Sequence, residues 1–217
     1  MNKEWSKQNK AMQALLKKAT FRQAIEALIE LRKSLMEEMQ SWRGKLSEAD
    51  FSEIPFINAE GYHSKTVAYS IWHIMRIEDI VVNTLIRRRE EVLFAGDHQR
   101  KTGSPIITTG NELVKEQIAA FSRELDIAAL YEYAEAVRED TDRWLRTMNY
   151  EDLKRRFPEE DKERIRALHV VSADESAAWL IGYWCGKDVA GLLKMPLSRH
   201  WIMHIEAAGR IIGWLGK

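Results

Sequence analysis

Three of the six histidines in this 217-residue chain stand where they could bind a metal ion together. His200 and His204 are four residues apart in a segment with helical periodicity, so both imidazoles would project from one helix face with Cβ atoms roughly 6 Å apart. His73 lies in the apolar stripe of an earlier helix, where a buried imidazole needs a partner. Three neutral imidazoles suit zinc, nickel, copper or ferrous iron and leave a coordination position for water or substrate.

A purely structural role for these histidines is the alternative. Histidines at positions i and i+4 also arise by chance on amphipathic helices, and His73 could be a core residue with its nitrogens hydrogen-bonded inside the protein. The other three histidines have no partner at metal-ligand spacing: His63 precedes the helix of His73, His169 stands beside two valines, and His98 falls in a polar loop. We interpret these three as structural or exposed.

Four further side chains could do chemistry, but the pattern favours a structural role for each. Glu78 and Asp79, about one turn beyond His73, could orient a ligand or act as a base, whereas solvent-facing helix charge is the simpler expectation. Glu206 would point away from the face of the histidine pair. Cys185 lies in an apolar run, where a buried and inert thiol is the usual case. The sequence therefore assigns no nucleophile.

The composition limits the classes of function. The 33 Lys and Arg residues balance 33 Asp and Glu residues, so no overall basic field attracts nucleic acid. The N-terminal residues stay charged through Lys18, unlike a secretory signal, and the most apolar window, residues 177–185, covers about half of the ~20 residues that span a bilayer. A single cysteine suits a reducing compartment. We therefore expect a cytoplasmic protein that binds neither nucleic acid nor membranes.

Residues that favour helices fill most of the chain between its four prolines, which predicts an all-α fold. Long helices are expected at about residues 21–43, 64–94, 112–148 and 197–215, and shorter ones before residue 20, at 159–168 and at 175–193. An interruption near Ser122 is an alternative within the third long helix. The charged segment 150–175 contains a connector. We expect one domain over residues 1–217, with a core bundle at about 21–217 and an N-terminal helical extension at 1–19. Two domains that divide within 150–175 are the alternative.

Local signals refine these boundaries. Thr20 with Gln23, and Thr109 with Glu112, have the spacing of capping boxes for the helices that follow. Glycines and a proline in the stretch 96–110 predict a crossing over the surface between two helices.

Two segments resemble the DinB-like (DinB/YfiT) family. Residues 66–79, Thr-Val-Ala-Tyr-Ser-Ile-Trp-His-Ile-Met-Arg-Ile-Glu-Asp, resemble the second helix of that family, and residues 198–204, Ser-Arg-His-Trp-Ile-Met-His, resemble its final-helix H-x₃-H. The resemblance covers about residues 21–217. It implies a four-helix bundle of DinB/YfiT type with accessory helices, in which His73, His200 and His204 bind a divalent metal ion.

The resemblance also implies cofactors and a class of activity. The metal would be zinc or nickel, with iron or manganese as alternatives, and family members with assigned chemistry are thiol-dependent transferases or isomerases that use a low-molecular-weight thiol. We expect a metal-dependent transferase or hydrolase with a small-molecule substrate, and a homodimer is an option because related bundles often pair. The alternative is a non-catalytic bundle that binds a small ligand or a partner protein, with the metal structural or absent.

The chain departs from the family in three places. Many members follow the last histidine with Arg-Gly-Gln, whereas Ile205, Glu206 and Ala207 follow it here, so no role is carried over to these positions. The segment 179–194 and the N-terminal extension exceed the minimal bundle. Both could reshape or cover a pocket beside the metal.

Overall fold

The computed structural model describes residues 3–217, and within that range the fold is all-helical, as the sequence predicts, with no strand. The α-helices in chain order are α1 (Lys3–Ala14), α2 (Phe21–Ser41), α3 (Val67–Asp79), α4 (Val92–Ala95), α5 (His98–Thr102), α6 (Glu116–Glu124), α7 (Ile127–Thr147), α8 (Glu159–Ala167), α9 (Glu175–Cys185), α10 (Val189–Lys194) and α11 (His200–Trp214). A π-helical turn, Ile80–Arg87, extends α3, and a second, Met195–Arg199, leads into α11. Single 3₁₀ turns lie at Lys18–Thr20, Trp42–Gly44, Ala49–Ser52, Gly61–His63 and Tyr150–Lys154.

Helices α2, α3, α7 and α11 form the centre of the fold. Both α2 and α3 pack against α7 and α11, and α1 packs along α2. Every residue of α3 is buried, because apolar side chains surround this helix instead of forming one stripe. Helix α2 buries one face, where apolar residues such as Leu28, Leu31 and Leu35 recur every three or four positions. Within residues 3–217, no helix combines the length and apolarity that a membrane span requires.

A buried charge cluster joins these four central helices. The Arg32 guanidinium of α2 donates to both carboxylate oxygens of Glu78 on α3, at 2.6 and 2.7 Å, and to Asp142 on α7 at 2.8 Å. The indole of Trp201 on α11 donates to the same Glu78 carboxylate at 2.9 Å. The expectation that Glu78 faces solvent is therefore wrong. Its carboxylate is buried, and both of its oxygens accept hydrogen bonds that compensate for the loss of water.

Asp79 is also buried, and it explains why the predicted helix at 64–94 ends early. Beyond the π-helical turn, Arg88 adopts a left-handed conformation with φ of 54°. The backbone N–H groups of Val92 and Leu93 then donate to the Asp79 carboxylate, each at 2.9 Å. Because this carboxylate satisfies the first amides of α4, the chain begins a new helix there instead of extending α3. Asp79 is thus a structural residue, but not a solvent-facing one.

Polar caps also divide two other predicted helices. The long helix expected after residue 112 breaks between α6 and α7, where the Asp126 carboxylate accepts from the Ala129 N–H at 2.9 Å. The apolar helix expected from residue 175 breaks between α9 and α10, where Asp188 accepts from the Gly191 N–H at 2.8 Å. A carboxylate that can cap a helix N-terminus competes with continued helix, which apolar periodicity alone does not register.

Neither predicted capping box forms. The Thr20 hydroxyl donates to the Leu15 carbonyl at 2.8 Å and makes no capping bond to α2. The Thr109 hydroxyl donates to the Asn111 side chain at 2.8 Å, and no helix begins there. By contrast, the predicted N-terminal helix, the first long helix and the short helix near residue 159 are confirmed as α1, α2 and α8.

Candidate metal centre

The structure brings His73, His200 and His204 together. His73 extends from α3 and the other two from α11, and the ring centroids lie 5.1 Å (His73–His200), 4.7 Å (His73–His204) and 4.6 Å (His200–His204) apart. One ligand nitrogen from each ring lies within 4.8 Å of the others. Three nitrogens about 2.0–2.1 Å from one zinc ion would be about 3.3 Å apart, so small rotations of the rings would close the site.

The start of α11 and its packing against α3 determine where the three rings lie. His200 is the first residue of α11, directly after the π-helical turn. Within that turn, the Ser198 hydroxyl donates to the Leu193 carbonyl at 2.8 Å and ties the start of α11 to α10. His204 follows one turn later on the same face. His73 reaches both rings because α3 packs directly against α11.

A backbone carbonyl fixes the orientation of His73. The Nδ1 atom of His73 lies 2.7 Å from the carbonyl oxygen of Thr109. Since a carbonyl can only accept, Nδ1 carries the proton and Nε2 keeps its lone pair for a metal ion. Tyr69 stacks on the same ring with centroids 5.4 Å apart, and its hydroxyl donates to the Gly110 carbonyl at 3.0 Å.

The stretch 96–110 is therefore more than the surface crossing that the sequence predicts. It contains α5, and Thr102 and Thr109 are completely buried within it. Its main chain orients a candidate metal ligand. Sequence reasoning missed the roles of Thr109 and Tyr69 because a main-chain carbonyl leaves no residue-type signal.

Gly110 is needed for this contact. Its φ of 77° is a left-handed conformation, and a Cβ atom there would lie 3.0 Å from the Tyr69 ring. We expect Gly110→Ala to lower the free energy of unfolding by about 1–3 kcal/mol, because backbone strain and the clash act together. Displacement of Tyr69 and the Thr109 carbonyl should also weaken metal binding about 10-fold. Urea unfolding and metal titration measure the two effects.

Gly216 provides the matched control. It also has a positive φ, 72°, but no atom lies within 4 Å of a Cβ built there, and it lies outside the lining of the cavity beside the histidines. Gly216→Ala should therefore lower the free energy of unfolding only by the backbone strain, about 1 kcal/mol, and leave metal affinity unchanged. Equal losses of metal affinity in the two variants would show that the Gly110 contact does not position His73.

The remaining nitrogens support a cation at this site. Nδ1 of His200 and Nδ1 of His204 are buried and have no hydrogen-bond partner. An unpaired buried polar group costs about 1–3 kcal/mol, so native proteins rarely keep such groups without a ligand or another role. A divalent metal ion among the three rings would take one nitrogen lone pair from each, and each neutral imidazole has one to offer. The residues present thus fit a metal ion bound by nitrogen.

The protonation state of the rings also suits a metal. Burial lowers the pKa of His73 to about 4, although its hydrogen bond to Thr109 acts in the opposite direction. Burial also lowers the pKa of His200 and His204 well below the ordinary value, and the neighbouring histidines add to the effect. All three imidazoles are consequently neutral at pH 7, which is the form that binds metals.

A cavity of about 400 Å³ opens beside the histidines. Its wall is mainly apolar and aromatic, and α9 contributes four residues to it. The lining residues are Gly61, Tyr62, Lys65, Tyr69, His73, Ile77, Asn111, Trp179, Leu180, Tyr183, Trp184, Met195, Pro196, His200, Met203 and His204. The expectation that the segment 179–194 shapes a pocket is confirmed for α9, whose residues line the cavity beside the three histidines. The volume falls within the range of small-molecule pockets, roughly 300–1,000 Å³.

Lys65 is a cavity residue that sequence reasoning missed. Its ammonium lies 4.8 Å from the centroid of the Tyr69 ring, and burial lowers its pKa. Its position two residues before α3, the helix that carries His73, is the signal that could have found it.

The other candidates lie away from the three rings. His63 contacts Arg210, with Nδ1 and Nη1 3.0 Å apart, and His169 lies in a left-handed turn after α8. His98 is not in a polar loop as predicted; it is buried in α5 beside Tyr133. Cys185 is buried, and burial raises its pKa to about 11, so its thiol is unreactive as predicted.

The aromatic and basic neighbours are structural. Trp72 and Trp201 are completely buried in the core. The arginine run at 87–89 is tied to the protein by carboxylates, for example Arg87 to Asp140 at 2.7 Å and Arg88 to Asp161 at 3.1 Å. These ion pairs hold the run against α7 and α8.

The chain matches no protein-family model and no curated protein. Function is therefore inferred from the geometry of the site.

Proposed function

We propose that this chain is a DinB-like protein that binds one divalent metal ion through His73, His200 and His204 and acts as a metal-dependent enzyme. The observation that carries the proposal is the convergence of three buried imidazoles from two helices at the wall of a cavity. Structural zinc sites are closed by four protein ligands, whereas catalytic sites use three and leave one position open. Here three histidines meet, and the cavity lies on their open side.

The packing of the helices supports the same family. In a DinB-type bundle, the four long helices would correspond to α2, α3, α7 and α11, which pack against one another in this fold. The remaining helices would be accessory. The metal would join two of the four, α3 and α11, as the family resemblance implies.

The donor set narrows the choice among the divalent metals. The site offers imidazole nitrogens, which suit zinc, copper, iron and nickel, whereas manganese prefers carboxylate and carbonyl oxygen. The cavity lining contains no aspartate or glutamate within the described residues. Manganese is therefore disfavoured by the ligands present, whereas iron is an alternative to zinc or nickel, the metals that the family resemblance implies.

The residues around the site would each have a defined task. A bound divalent ion lowers the pKa of a water or thiol that it contacts. The Thr109 carbonyl and the Tyr69 ring hold His73 in place. Lys65 supplies a positive charge to the cavity, and the aromatic residues of α9 exclude water from it. These features suit a transferase or hydrolase that uses a small thiol and a small-molecule substrate.

Turnover with a thiol and an electrophile tests the catalytic part. We expect zinc- or nickel-loaded protein to accelerate the reaction of 2-mercaptoethanol with 1-chloro-2,4-dinitrobenzene, measured by absorbance. His200→Ala should lose this acceleration, whereas His63→Ala should keep it. Equal rates with loaded and metal-free protein would contradict metal-dependent catalysis of this kind.

One observation favours a non-catalytic alternative. No carboxylate lines the cavity within the described residues, so no Asp or Glu is placed to act as a general base there. In this alternative the metal and the cavity together bind a small ligand. Stoichiometric metal without turnover of thiol or ester substrates would favour it.

The burial of the histidines predicts an unusual acid stability of metal binding. An ordinary histidine pKa would place metal release near pH ~6. Because the folded-state pKa of His73 is lowered to about 4, protons compete for its nitrogen only at lower pH. Metal should stay bound at pH 6 and be released as the pH falls towards about 4. Metal content after dialysis over a pH series, with circular dichroism to verify folding, measures this release.

The metal-free protein should respond to acid in a different way. The unfolded chain takes up protons on these histidines near pH ~6.5, whereas the folded chain does not. The free energy of unfolding of the metal-free protein should therefore have its full value above that pH and decrease as the pH falls below it. Release of metal at pH 6 from a protein that remains folded would contradict the burial argument.

A further inference from the structure

Lys65 places one unpaired positive charge in the cavity. It is half-buried, and no carboxylate of the described residues forms an ion pair with it. Its ammonium lies over the face of Tyr69, 4.8 Å from the ring centroid, and that ring stacks on His73. A partly desolvated ammonium without a counter-ion gains from an anion that enters the cavity. Among residues 3–217, the lining offers no competing negative side chain.

Helix α9 contributes an aromatic surface to the same cavity. Trp179 and Tyr183, four residues apart, pack edge to face with centroids 5.6 Å apart, and both line the cavity. Trp179 is 54% exposed, although most other tryptophans of the chain are buried. Its indole N–H donates to the Ser176 carbonyl at 2.9 Å, which holds the ring in place. A fixed, exposed aromatic surface next to a cavity favours an apolar ring as its contact.

We propose that the cavity binds a small aromatic carboxylate, with its anionic group at Lys65 and its ring against Trp179 and Tyr183. One ammonium matches the single charge of a carboxylate, whereas a phosphate dianion would need more donors than this apolar wall provides. The inference rests on the proposed function, because it names the substrate class of the same cavity.

Calorimetric titration with two probes of the same shape tests the proposal. We would titrate 2-naphthoate and its neutral analogue 2-naphthamide into the full-length protein, both zinc-loaded and metal-free. We expect the carboxylate to bind at least about 10-fold more tightly than the amide, since hydrogen bonds to charged groups are stronger than those to neutral ones. Lys65→Met should remove this preference and leave the affinity for the amide within about two-fold of the wild-type value.

Two further variants separate charge from apolar contact. Lys187, whose ammonium lies 4.2 Å from the Tyr183 ring centroid but outside the cavity lining, is the matched control. Lys187→Met should keep the carboxylate preference. Trp179→Ala should weaken both probes by a similar factor, about 10-fold, because it removes ring contact and no charge.

The outcomes distinguish this inference from the proposed function. If naphthoate binds no more tightly than the amide, or if Lys65→Met keeps the preference, the assignment of Lys65 is wrong even when one zinc ion is bound. If the same samples retain no zinc, the metal centre is wrong, but a preference that depends on Lys65 in metal-free protein still supports the ligand class. Failure of naphthoate to bind either form overturns the inference.

Discussion

Replacing His73, His200 or His204 by alanine should abolish metal binding to the same extent in all three variants. Each substitution removes one of three nitrogen ligands and leaves two, so we expect affinity to fall by about 100-fold or more. The three rings would share one ion, because their ligand atoms lie within 4.8 Å of one another. Metal per chain after dialysis against zinc or nickel, measured by mass spectrometry, gives the result.

Two other histidines are controls for this experiment. His63 contacts Tyr62 and Arg210 and is not among the clustered ligand candidates, and His169 lies in the turn after α8. Alanine at either position should leave metal content at the wild-type level. If His73→Ala keeps its metal while His200→Ala loses it, α3 contributes no ligand and the site joining two helices is wrong.

Breaking the buried ion pair between Arg32 and Glu78 should have the largest effect on the free energy of unfolding. Arg32→Met would leave Glu78 without its main partner and Asp142 without one of its two arginines, and both carboxylates are buried. Removing one member of such a pair typically costs about 3–5 kcal/mol, because the remaining charge stays desolvated. We expect a decrease of this size in the free energy of unfolding, measured in urea at pH 7.

The adjacent residue on α2 offers a matched control. Lys33 forms an exposed pair with Glu37 at 4.0 Å, and pairs of this kind contribute little. Lys33→Met should change the free energy of unfolding by about 0.5 kcal/mol or less. The double variant Arg32→Met with Glu78→Leu should recover much of the lost stability, because it removes both charges. A single Arg32→Met variant as stable as Lys33→Met would contradict a structural role for the cluster.

The sequence predicted the all-helical fold and the placement of His200 and His204 on one helix face, because both depend on short-range spacing. Periodic apolar positions specify one buried face of a helix, as in α2. The four-residue spacing of His200 and His204 places two rings on one face without knowledge of the rest of the fold. The position of His73 in an apolar stripe indicated burial, and the structure bears this out.

The errors concern interactions between distant parts of the chain. Glu78 was expected to face solvent because its partner Arg32 lies 46 residues away in sequence. Asp79 was misplaced for a similar reason: it caps α4, which begins 13 residues later at Val92. A charged residue in an apolar helix can be buried only with partners, and one sequence does not show which partners are near.

Two details of the site could not be predicted from the sequence for another reason. The Thr109 carbonyl that orients His73 belongs to the main chain, so any residue type could supply it. Lys65 stands two residues before the helix of His73, but one sequence does not show that residues of the distant helix α9 line the same cavity.

Anomalous diffraction from crystals of the zinc-loaded protein tests the central claim most directly. We predict one zinc peak per chain between α3 and α11, about 2.0–2.1 Å from one nitrogen of each of His73, His200 and His204. The fourth coordination position should face the cavity and hold no protein side chain. A zinc ion at another position, a fourth protein ligand, or no zinc at these three histidines would contradict the account.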